Sequence, residues 1–201
     1  MRFERSRVGE LIEIVEQDQF ALGEYASISI AFEVRETLNV AVLTTSAGAV
    51  AQARQPVSKP WVKDYDAIDG GPLTWPARFD LTSHWTFFAA RVDGERVGSA
   101  AVLFRTPGVD MLRGRGDVAL LWDIRVAPGH RGLGIGRALL TAAEAWAASR
   151  KATWLEVETQ NVNVPACAFY ERNGFTLRDI RPGAYPELPD ETQLLWYKRL
   201  V

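Results

Sequence analysis

Apolar residues along this chain recur in two spacings, which predict most of its secondary structure. They alternate with small or polar residues in "ASISIAFEV", which predicts a half-buried strand that begins near residue 27. The segment "WTFFAARVDGERVGSAAVLF" contains two β-rich runs around Asp93 and Gly94, a dipeptide that favours a tight hairpin turn. The nearly continuous apolar run "DVALLWDIRV" predicts a central strand that is covered on both faces.

Helical spacing begins after residue 134, where apolar residues recur at steps of four, three and four. These residues share one face of a predicted helix that reaches about Arg150 and packs on a sheet: Ile135, Leu139, Ala142 and Trp146. Farther along, "TWLEVET" predicts a strand, "VPACAFYERNGF" a short helix that ends at Gly174, and "QLLWYKRLV" a terminal strand. This order of elements predicts a single α/β or α+β domain over residues 1–201.

The region from Thr44 to Ser83 shows neither spacing. It contains four prolines and the pair Gly70-Gly71, which interrupt any long element. We therefore expect a long loop here. Because such a loop is unusual inside a compact domain, it is either poorly ordered or part of a binding site.

Composition excludes several classes of protein. The 201 residues are 47% hydrophobic, which is enough for a sizeable core. The 23 basic and 25 acidic residues form no run of like charge, so nucleic acid is not an expected partner. The N-terminus lacks the apolar region of a signal peptide, and no stretch approaches the roughly 20 apolar residues that span a bilayer, which predicts a cytoplasmic protein without membrane contact. One cysteine and two isolated histidines argue against a disulfide and a metal site.

The segment "RVAPGHRGLGIGRALL" places Gly132, Gly134 and Gly136 between a predicted strand and a predicted helix. This arrangement aims unpaired backbone amides at one point, where the helix dipole adds positive charge. We therefore expect a bound anion, to which Arg131 and Arg137 can add charged hydrogen bonds.

Three ligands compete for this turn, and a fourth interpretation needs no ligand. A nucleoside triphosphate does not fit, because Gly136 is not followed by Lys and Ser or Thr. A dinucleotide with Glu156 at its ribose stays open, although the spacing is Gly-x-Gly-x-Gly and the turn lies late in the chain. The pyrophosphate of coenzyme A fits best. A turn that serves only to join the strand to the helix is the structural alternative.

Two stretches resemble the signatures of one enzyme family. "RGLGIG" matches the R-x-x-G-x-G pyrophosphate loop of the GNAT superfamily of acyl-CoA-dependent N-acetyltransferases, and "NVPACAFYERNGF" matches its N-x-x-A-x-x-F-Y-x-x-x-G-F signature. Around residues 160–175, "ETQNVNVPACAFYERNGF" is particularly similar to streptothricin acetyltransferases within that superfamily. The resemblance covers residues 85–201 as an acyl-CoA-binding core and leaves residues 1–84 as a divergent N-terminal part. It implies a mixed, mostly antiparallel twisted sheet flanked by helices.

The resemblance also implies acetyl-CoA as co-substrate and assigns residues to it. In the superfamily the strand before the loop splays from its neighbour, and its backbone pairs with the pantetheine arm. This strand corresponds to "LLWDIRV", with contacts at Ile124 and Val126 on either side of Arg125. The pyrophosphate is expected on the amides of the turn, namely Arg131, Gly132, Leu133, Gly134, Ile135, Gly136 and Arg137. Asn163 aligns with an asparagine that hydrogen-bonds the pantetheine arm, and a role as helix N-cap is equally compatible.

Acetyl transfer needs an acid for the departing thiolate and a base for the amine. Tyr170 aligns with the family's tyrosine near the sulfur, which implies a general acid; the alternative is a core aromatic residue beside Phe169. Asp123, within the central strand, is a candidate base or amine-binding acid, or else the ion-pair partner of an arginine on the same face. Glu158, near the end of the next strand, is a second candidate base, directly or through water. Direct attack, normal in this family, leaves Cys167 as a buried small residue and not an acetyl carrier.

Aromatic and acidic residues suggest a cationic acceptor. The residues within or beside the irregular region are Trp61, Tyr65, Trp75, Trp85, Asp64, Asp66, Asp69 and Asp80, and "RPGAYPELPDE" contributes Glu187, Asp190 and Glu191. A solvated loop with docked aromatics is the alternative.

The sequence as a whole predicts an acetyl-CoA-dependent N-acetyltransferase that acts on a small, cationic amine without a metal. Acetylation of proteins or peptides and a non-catalytic acyl-CoA-binding module stay open as alternatives. A homodimer also stays open.

Overall fold

The computed structural model describes residues 2–5, 11–43 and 48–200. The chain forms two compact units. The first comprises residues 1–31, 64–155 and 200–201, and the second comprises residues 32–63 and 156–199. The expectation of one acetyltransferase domain over residues 1–201 stays a prediction.

The strands are β1 (Arg2–Arg5), β2 (Leu11–Gln17), β3 (Phe32–Leu38), β4 (Arg54–Lys63), β5 (Trp85–Val92), β6 (Glu95–Phe104), β7 (Val118–Val126), β8 (Trp154–Gln160), β9 (Thr176–Pro182) and β10 (Thr192–Arg199). The α-helices are α1 (Leu22–Ala26), α2 (Ala49–Ala53), α3 (Asp66–Asp69), α4 (Trp75–Arg78), α5 (Ile135–Ser149) and α6 (Val164–Arg172). Short 3-10 helices occupy Gln19–Ala21, Gly71–Thr74, Asp110–Leu112 and Pro128–His130.

In the first unit, five strands follow the order β1-β2-β5-β6-β7, and each neighbouring pair is antiparallel. The hairpin predicted at Asp93-Gly94 is confirmed as the β5–β6 turn, where both residues have positive φ, 50° and 84°. The apolar run that ends in Val126 forms β7, as expected, and its first four residues are buried.

Helix α5 packs against β2, β5, β6 and β7 of this sheet. All four residues predicted on its inner face are buried. Gly98 of β6 lets the helix approach closely, since a Cβ there would lie 3.0 Å from the carbonyl oxygen of Arg125 and 3.1 Å from side-chain carbons of Ile135 and Leu139. The predicted helix-on-sheet packing is therefore confirmed.

The second unit contains the antiparallel pair β9–β10, with β8 beside β10, and the separate antiparallel pair β3–β4. Helix α6 contacts α2, β3 and β9. Gly174 follows the helix with φ of +84°, as predicted for a C-terminal glycine. Together with the first unit, these elements confirm a mostly antiparallel sheet flanked by helices.

The structure of the N-terminal half differs from the sequence interpretation at three places. The strand expected near residue 27 begins at Phe32 instead. The alternation in "LIEIVEQ", with Ile12 and Ile14 buried, forms β2, which the sequence interpretation missed. The long loop over residues 44–83 was wrong for its described part, which contains the ten-residue β4 and helices α2, α3 and α4; residues 44–47 lie outside the described residues.

The physical reason is visible in β4. Nearly all of its residues are exposed, so the strand has no apolar alternation to detect. Among the strands of the described residues, β4 pairs with β3 alone, so a missing proline amide on its other side breaks no ladder bond and the prolines are tolerated. Four of its residues, 57–60, lie opposite Arg35 of β3. This irregularity interrupts the alternation of the strand and makes its pairing with β3 harder to predict from the sequence. Within the described part of the chain, no helix combines the length and apolar character needed to cross a membrane.

Candidate active site

The turn between β7 and α5 adopts the conformation that glycine permits. Gly132 and Gly134 have φ of +82° and +100°. Gly134 is the N-cap of α5, so no capping side chain competes for the amides of the first turn. Apart from its two chain neighbours, no described residue has an atom within 4 Å of the position that a Cβ would take on Gly132. Backbone conformation therefore explains Gly132, the positive φ of Gly134 favours glycine for the same reason, and the turn suits an anion.

β7 presents the backbone of Ile124 and Val126 on the side away from β6. The amide of Ala127 donates to the carbonyl of Val97 at 2.9 Å, and the register pairs Val126 with Gly98. Since hydrogen-bond direction alternates along an antiparallel ladder, the amides and carbonyls of Ile124 and Val126 point to the other side. This direction agrees with the main-chain contacts expected for a pantetheine arm.

The guanidinium of Arg131 donates hydrogen bonds to main-chain carbonyls. Its Nε donates to the carbonyl of Val126 at 3.0 Å, and its Nη2 donates to the carbonyl of Ala31 at 2.9 Å. Arg131 therefore ties the end of β7 to the chain at Ala31, while Arg137 is exposed in the first turn of α5. In this conformation the backbone amides of the turn can donate hydrogen bonds to an anion, whereas the Arg131 side chain already donates to main-chain carbonyls.

Arg125 is the centre of a buried cluster of charges. Its guanidinium donates two hydrogen bonds to Asp123, at 2.9 and 2.7 Å, and two to Asp66, at 2.7 and 3.1 Å. Only 1% of its side chain is exposed. Burial alone lowers the pKa of Arg125, but the carboxylates of Asp123 and Asp66 outweigh it and raise the pKa above its usual value. Arg125 therefore keeps its charge at neutral pH.

Asp123 is fully engaged within this cluster. Besides the two bonds from Arg125, its Oδ1 accepts a hydrogen bond of 2.6 Å from the phenol of Tyr25 on α1. Burial and the Asp123 carboxylate raise the pKa of Tyr25, so the phenol stays protonated and donates. This geometry favours the ion-pair interpretation of Asp123 over its use as a base.

A β-bulge in β7 precedes Asp123. Ala101 pairs with Asp123, and Val102 pairs with Leu121, so Trp122 is an extra residue in β7. The ring of Trp122 joins an aromatic cluster whose other members are Tyr25, Trp75, Phe79, Trp85 and Phe87. Trp75 and Trp85, considered above as acceptor-binding residues, are buried here.

The second signature, residues 163–175, lies within the second unit. Asn163 is the N-cap of α6, and its Oδ1 accepts from the amide of Ala166 at 3.2 Å, so the capping role is confirmed. Tyr170 on α6 is buried, with ring centroids 5.2 Å from Phe169 and 5.3 Å from Phe175. Its position in the core is thus established, and its role toward the thiolate stays a prediction.

Cys167 lies deep in the second unit. Its Sγ is 3.3 Å from Oγ1 of Thr159, which in turn accepts a hydrogen bond of 2.8 Å from Nε1 of Trp196. Burial raises the pKa of the Cys167 thiol to about 12. A buried, protonated thiol is a poor nucleophile, which agrees with the expectation that Cys167 carries no acetyl group.

Glu158 lies at the centre of a polar cluster in the second unit. Its Oε1 accepts from the phenol of Tyr185, and its Oε2 accepts from Nε2 of Gln193 at 2.6 Å. Nε2 of Gln160 is 3.3 Å from the same Oε1. Burial raises the pKa of Glu158, although these hydrogen bonds act in the opposite direction. The sequence did not assign Tyr185 or Gln193 to this cluster; the only signal was that Tyr185 lies within "RPGAYPELPDE" and Gln193 two residues after it.

Most acidic residues proposed for the acceptor already have partners. Asp66 binds Arg125, and Glu191 forms a buried ion pair with Lys63. The side chains of Asp64, Asp69 and Asp80 each accept a backbone amide two residues ahead in a local turn. Glu187 and Asp190 are exposed.

The fold and the two sequence motifs described above are those of an acyltransferase. Residues 56–175 match the acetyltransferase (GNAT) family, and the chain belongs to that family. It is an acetyltransferase related to streptothricin acetyltransferases. The Streptomyces lavendulae streptothricin acetyltransferase is 33% identical over 142 residues, which cover 71% of each chain. The Escherichia coli streptothricin acetyltransferase is 28% identical over 169 residues, which cover 83% of this chain and 84% of the relative.

Solved structures show the same fold. Nourseothricin acetyltransferase superposes with a TM-score of 0.69 at 24% identity, and the match covers 94% of this chain and 99% of the other. A Bacillus anthracis str. Ames protein in complex with acetyl coenzyme A gives a TM-score of 0.70 at 23% identity, with the same coverage of each chain. The predicted GNAT fold, a mixed and mostly antiparallel sheet with flanking helices, is confirmed.

Proposed function

We propose that this chain transfers the acetyl group of acetyl-CoA to the amine of a small, positively charged molecule by direct attack on the thioester. The observation that carries the proposal is the turn at Gly132 and Gly134, which opens α5 and aims main-chain amides at an anion. Membership of the GNAT family supports acetyl-CoA as the donor, and so does the fold neighbour in complex with acetyl coenzyme A.

The cofactor-binding residues follow from this proposal. The amides from Arg131 to Arg137 hold the pyrophosphate, and the outward-facing backbone of Ile124 and Val126 pairs with the pantetheine arm. Asn163 can cap α6 through Oδ1 and still donate from its amide nitrogen to the arm. Arg125 lies on the same strand, with its side chain engaged by the two aspartates.

Glu158 is the better candidate for the base. Asp123 accepts three hydrogen bonds from Arg125 and Tyr25 within a charge cluster, so protonation would break a strong ion pair. Glu158 is held by uncharged donors, Tyr185, Gln160 and Gln193, and burial raises its pKa, which makes it a stronger base than an exposed glutamate. We assign Glu158 to deprotonation of the amine and Asp123 to the ion pair with Arg125.

Tyr170→Phe tests the general acid. If Tyr170 protonates the departing thiolate, kcat should fall by about 10- to 1000-fold, because a positioned acid contributes on this order. The dissociation constant for acetyl-CoA should stay close to that of the wild type, since the ring and its packing remain. Steady-state kinetics and calorimetry measure the two quantities. A folded variant with the kcat of the wild type would show that Tyr170 is a core aromatic residue and not the general acid.

The acceptor is a cationic amine, with a β-lysine-bearing antibiotic such as streptothricin as the named example. The relatives with this name support the choice, and the exposed acids Glu187 and Asp190 supply negative charge. Streptothricin, spermidine and kanamycin should be acetylated in preference to neutral or acidic amino acids and to peptides. Mass spectrometry of each mixture with acetyl-CoA identifies the product.

Neutralising the two exposed acidic side chains tests whether the acceptor is a cation. Glu187→Gln with Asp190→Asn should raise KM for a cationic acceptor by roughly 5-fold at low ionic strength and less at high salt. The control pair Asp93→Asn with Glu95→Gln, at the exposed β5–β6 turn, should change KM little. Preference for peptides would instead indicate a peptide acetyltransferase, and acetyl-CoA binding without any product would indicate a binding module.

A further inference from the structure

The segment between β9 and β10, residues 183–191, is fixed at two points within the second unit. Tyr185 donates its phenolic hydrogen bond to Oε1 of Glu158 on β8. Glu191 forms an ion pair with Lys63 at the end of β4, and the two side chains are only 8% and 10% exposed. These contacts hold the phenol of Tyr185 against the carboxylate of Glu158.

The donors around Glu158 differ in chemistry. Gln193 donates to Oε2 at 2.6 Å, and Nε2 of Gln160 lies 3.3 Å from Oε1 and 3.0 Å from the phenolic oxygen of Tyr185. Amide groups hold a carboxylate in place but do not act as acids near neutral pH, whereas a tyrosine can act in acid–base catalysis. Among the described hydrogen-bond partners of Glu158, Tyr185 is therefore the one that can exchange a proton with it.

We infer that Tyr185 is a catalytic residue that relays the proton of the attacking amine to Glu158, an inference that rests on the proposed function. The ammonium group of the acceptor gives one proton to the phenolic oxygen of Tyr185 as the phenol's own proton passes to Oε1 of Glu158, so Tyr185 is neutral before and after and Glu158 becomes a carboxylic acid. The nitrogen lone pair released in this way bonds to the thioester carbonyl carbon, and the π pair of the C=O bond moves to oxygen. That pair re-forms the C=O bond as the C–S bond breaks and the thiolate takes the proton of Tyr170, whose phenolate then takes the second proton from nitrogen. Loss of the Glu158 proton to water restores the enzyme.

The electrostatics agree with this direction of transfer. Burial and the Glu158 carboxylate raise the pKa of Tyr185, so the phenol keeps its proton until an amine supplies another. Burial also raises the pKa of Glu158, which makes it a stronger base than an exposed glutamate. The charged residue Arg181 on β9 acts on Glu158 in the opposite direction, together with the bonds from Tyr185, Gln160 and Gln193.

The test compares Tyr185→Phe, Glu158→Gln and the double variant, with the fastest acceptor among streptothricin, spermidine and kanamycin. Wild-type kcat/KM should fall on the acidic side as Glu158 becomes protonated and should be level above that pH. Each single variant should lose about 10- to 100-fold at pH 7, and the double variant should lose no more, because the two residues act as a unit. In the variants, kcat/KM should rise with pH up to the pKa of the amine itself, since only the free base then reacts.

Two further variants separate the relay from a structural role. Gln193→Met removes a hydrogen bond to the Glu158 carboxylate and should move the acidic limb to higher pH. Glu191→Gln weakens the other anchor of the segment and should lower the rate without a change in the shape of the pH profile. If Tyr185 only anchored the segment, Tyr185→Phe would behave like Glu191→Gln, and this result would overturn the relay.

A titration without acceptor supplies an independent measurement. The carboxyl carbon of Glu158, assigned in 13C NMR spectra by its loss in Glu158→Gln, should titrate at a higher pH in Tyr185→Phe because a donor to the carboxylate is lost. An unchanged titration overturns the relay. If the wild-type protein acetylates no amine, the proposed function is wrong. If the wild type acetylates an amine and Tyr185→Phe does so with the same pH profile, only the relay is wrong.

Discussion

Gly134→Asp is expected to weaken acetyl-CoA binding by roughly 1000-fold. Two unit charges about 4 Å apart repel by about 4 kcal/mol at the effective dielectric constant of a protein surface, and about 1.4 kcal/mol corresponds to each factor of ten. The new carboxylate would lie at the N-terminus of α5, where the pyrophosphate is proposed to bind. The φ of +100° at this position also disfavours a side chain and so disturbs the turn.

Isothermal titration calorimetry measures this loss, and circular dichroism checks that the variant is folded. Gly129→Asp is the matched control, since Gly129 lies five residues earlier in an open position without positive φ. It adds the same charge near the same loop and should change the affinity only a few-fold. Gly134→Ala separates backbone strain from charge. If Gly134→Asp and the wild type bound acetyl-CoA with equal affinity, the pyrophosphate would not bind at this turn.

Arg125→Met is expected to lower the free energy of unfolding by about 3–5 kcal/mol, the usual cost of removing one partner from a buried ion pair. The substitution leaves Asp123, whose side chain is 7% exposed, and Asp66 without their cation. Methionine fills much of the space of the arginine stem, so lost packing contributes little. Urea denaturation followed by tryptophan fluorescence measures the change.

The control is Arg181→Met, which breaks an exposed ion pair with Asp179 and should cost less than about 1 kcal/mol. Adding Asp66→Asn and Asp123→Asn to Arg125→Met should recover part of the loss, because it removes the unpaired carboxylates. Similar losses for Arg125→Met and Arg181→Met would mean that the cluster contributes no more than a surface pair. Arg125→Lys, which keeps the charge but cannot bridge both aspartates, should fall between the two.

Elements with a strong local signal were predictable. The inner face of α5 followed from the spacing of its apolar residues, and the β5–β6 turn followed from Asp93-Gly94. Asn163 as N-cap and Gly174 as the C-terminal glycine of α6 followed from the same kind of signal. β4 was missed because its exposed residues carry no apolar pattern, so its pairing with β3 depends on the partner strand.

The candidate site divides in the same way. The glycine turn is encoded within a few residues, because positive φ and free first-turn amides are properties of the local backbone. The sequence alone therefore determined the glycine turn, the helix that follows it and the family. Only the tertiary structure decided the partners of its charges, since Arg125 meets Asp66 across 59 positions and Tyr185 meets Glu158 across 27. Side-chain contacts between distant residues leave no periodic trace in the chain, because they depend on where the packed elements bring each residue.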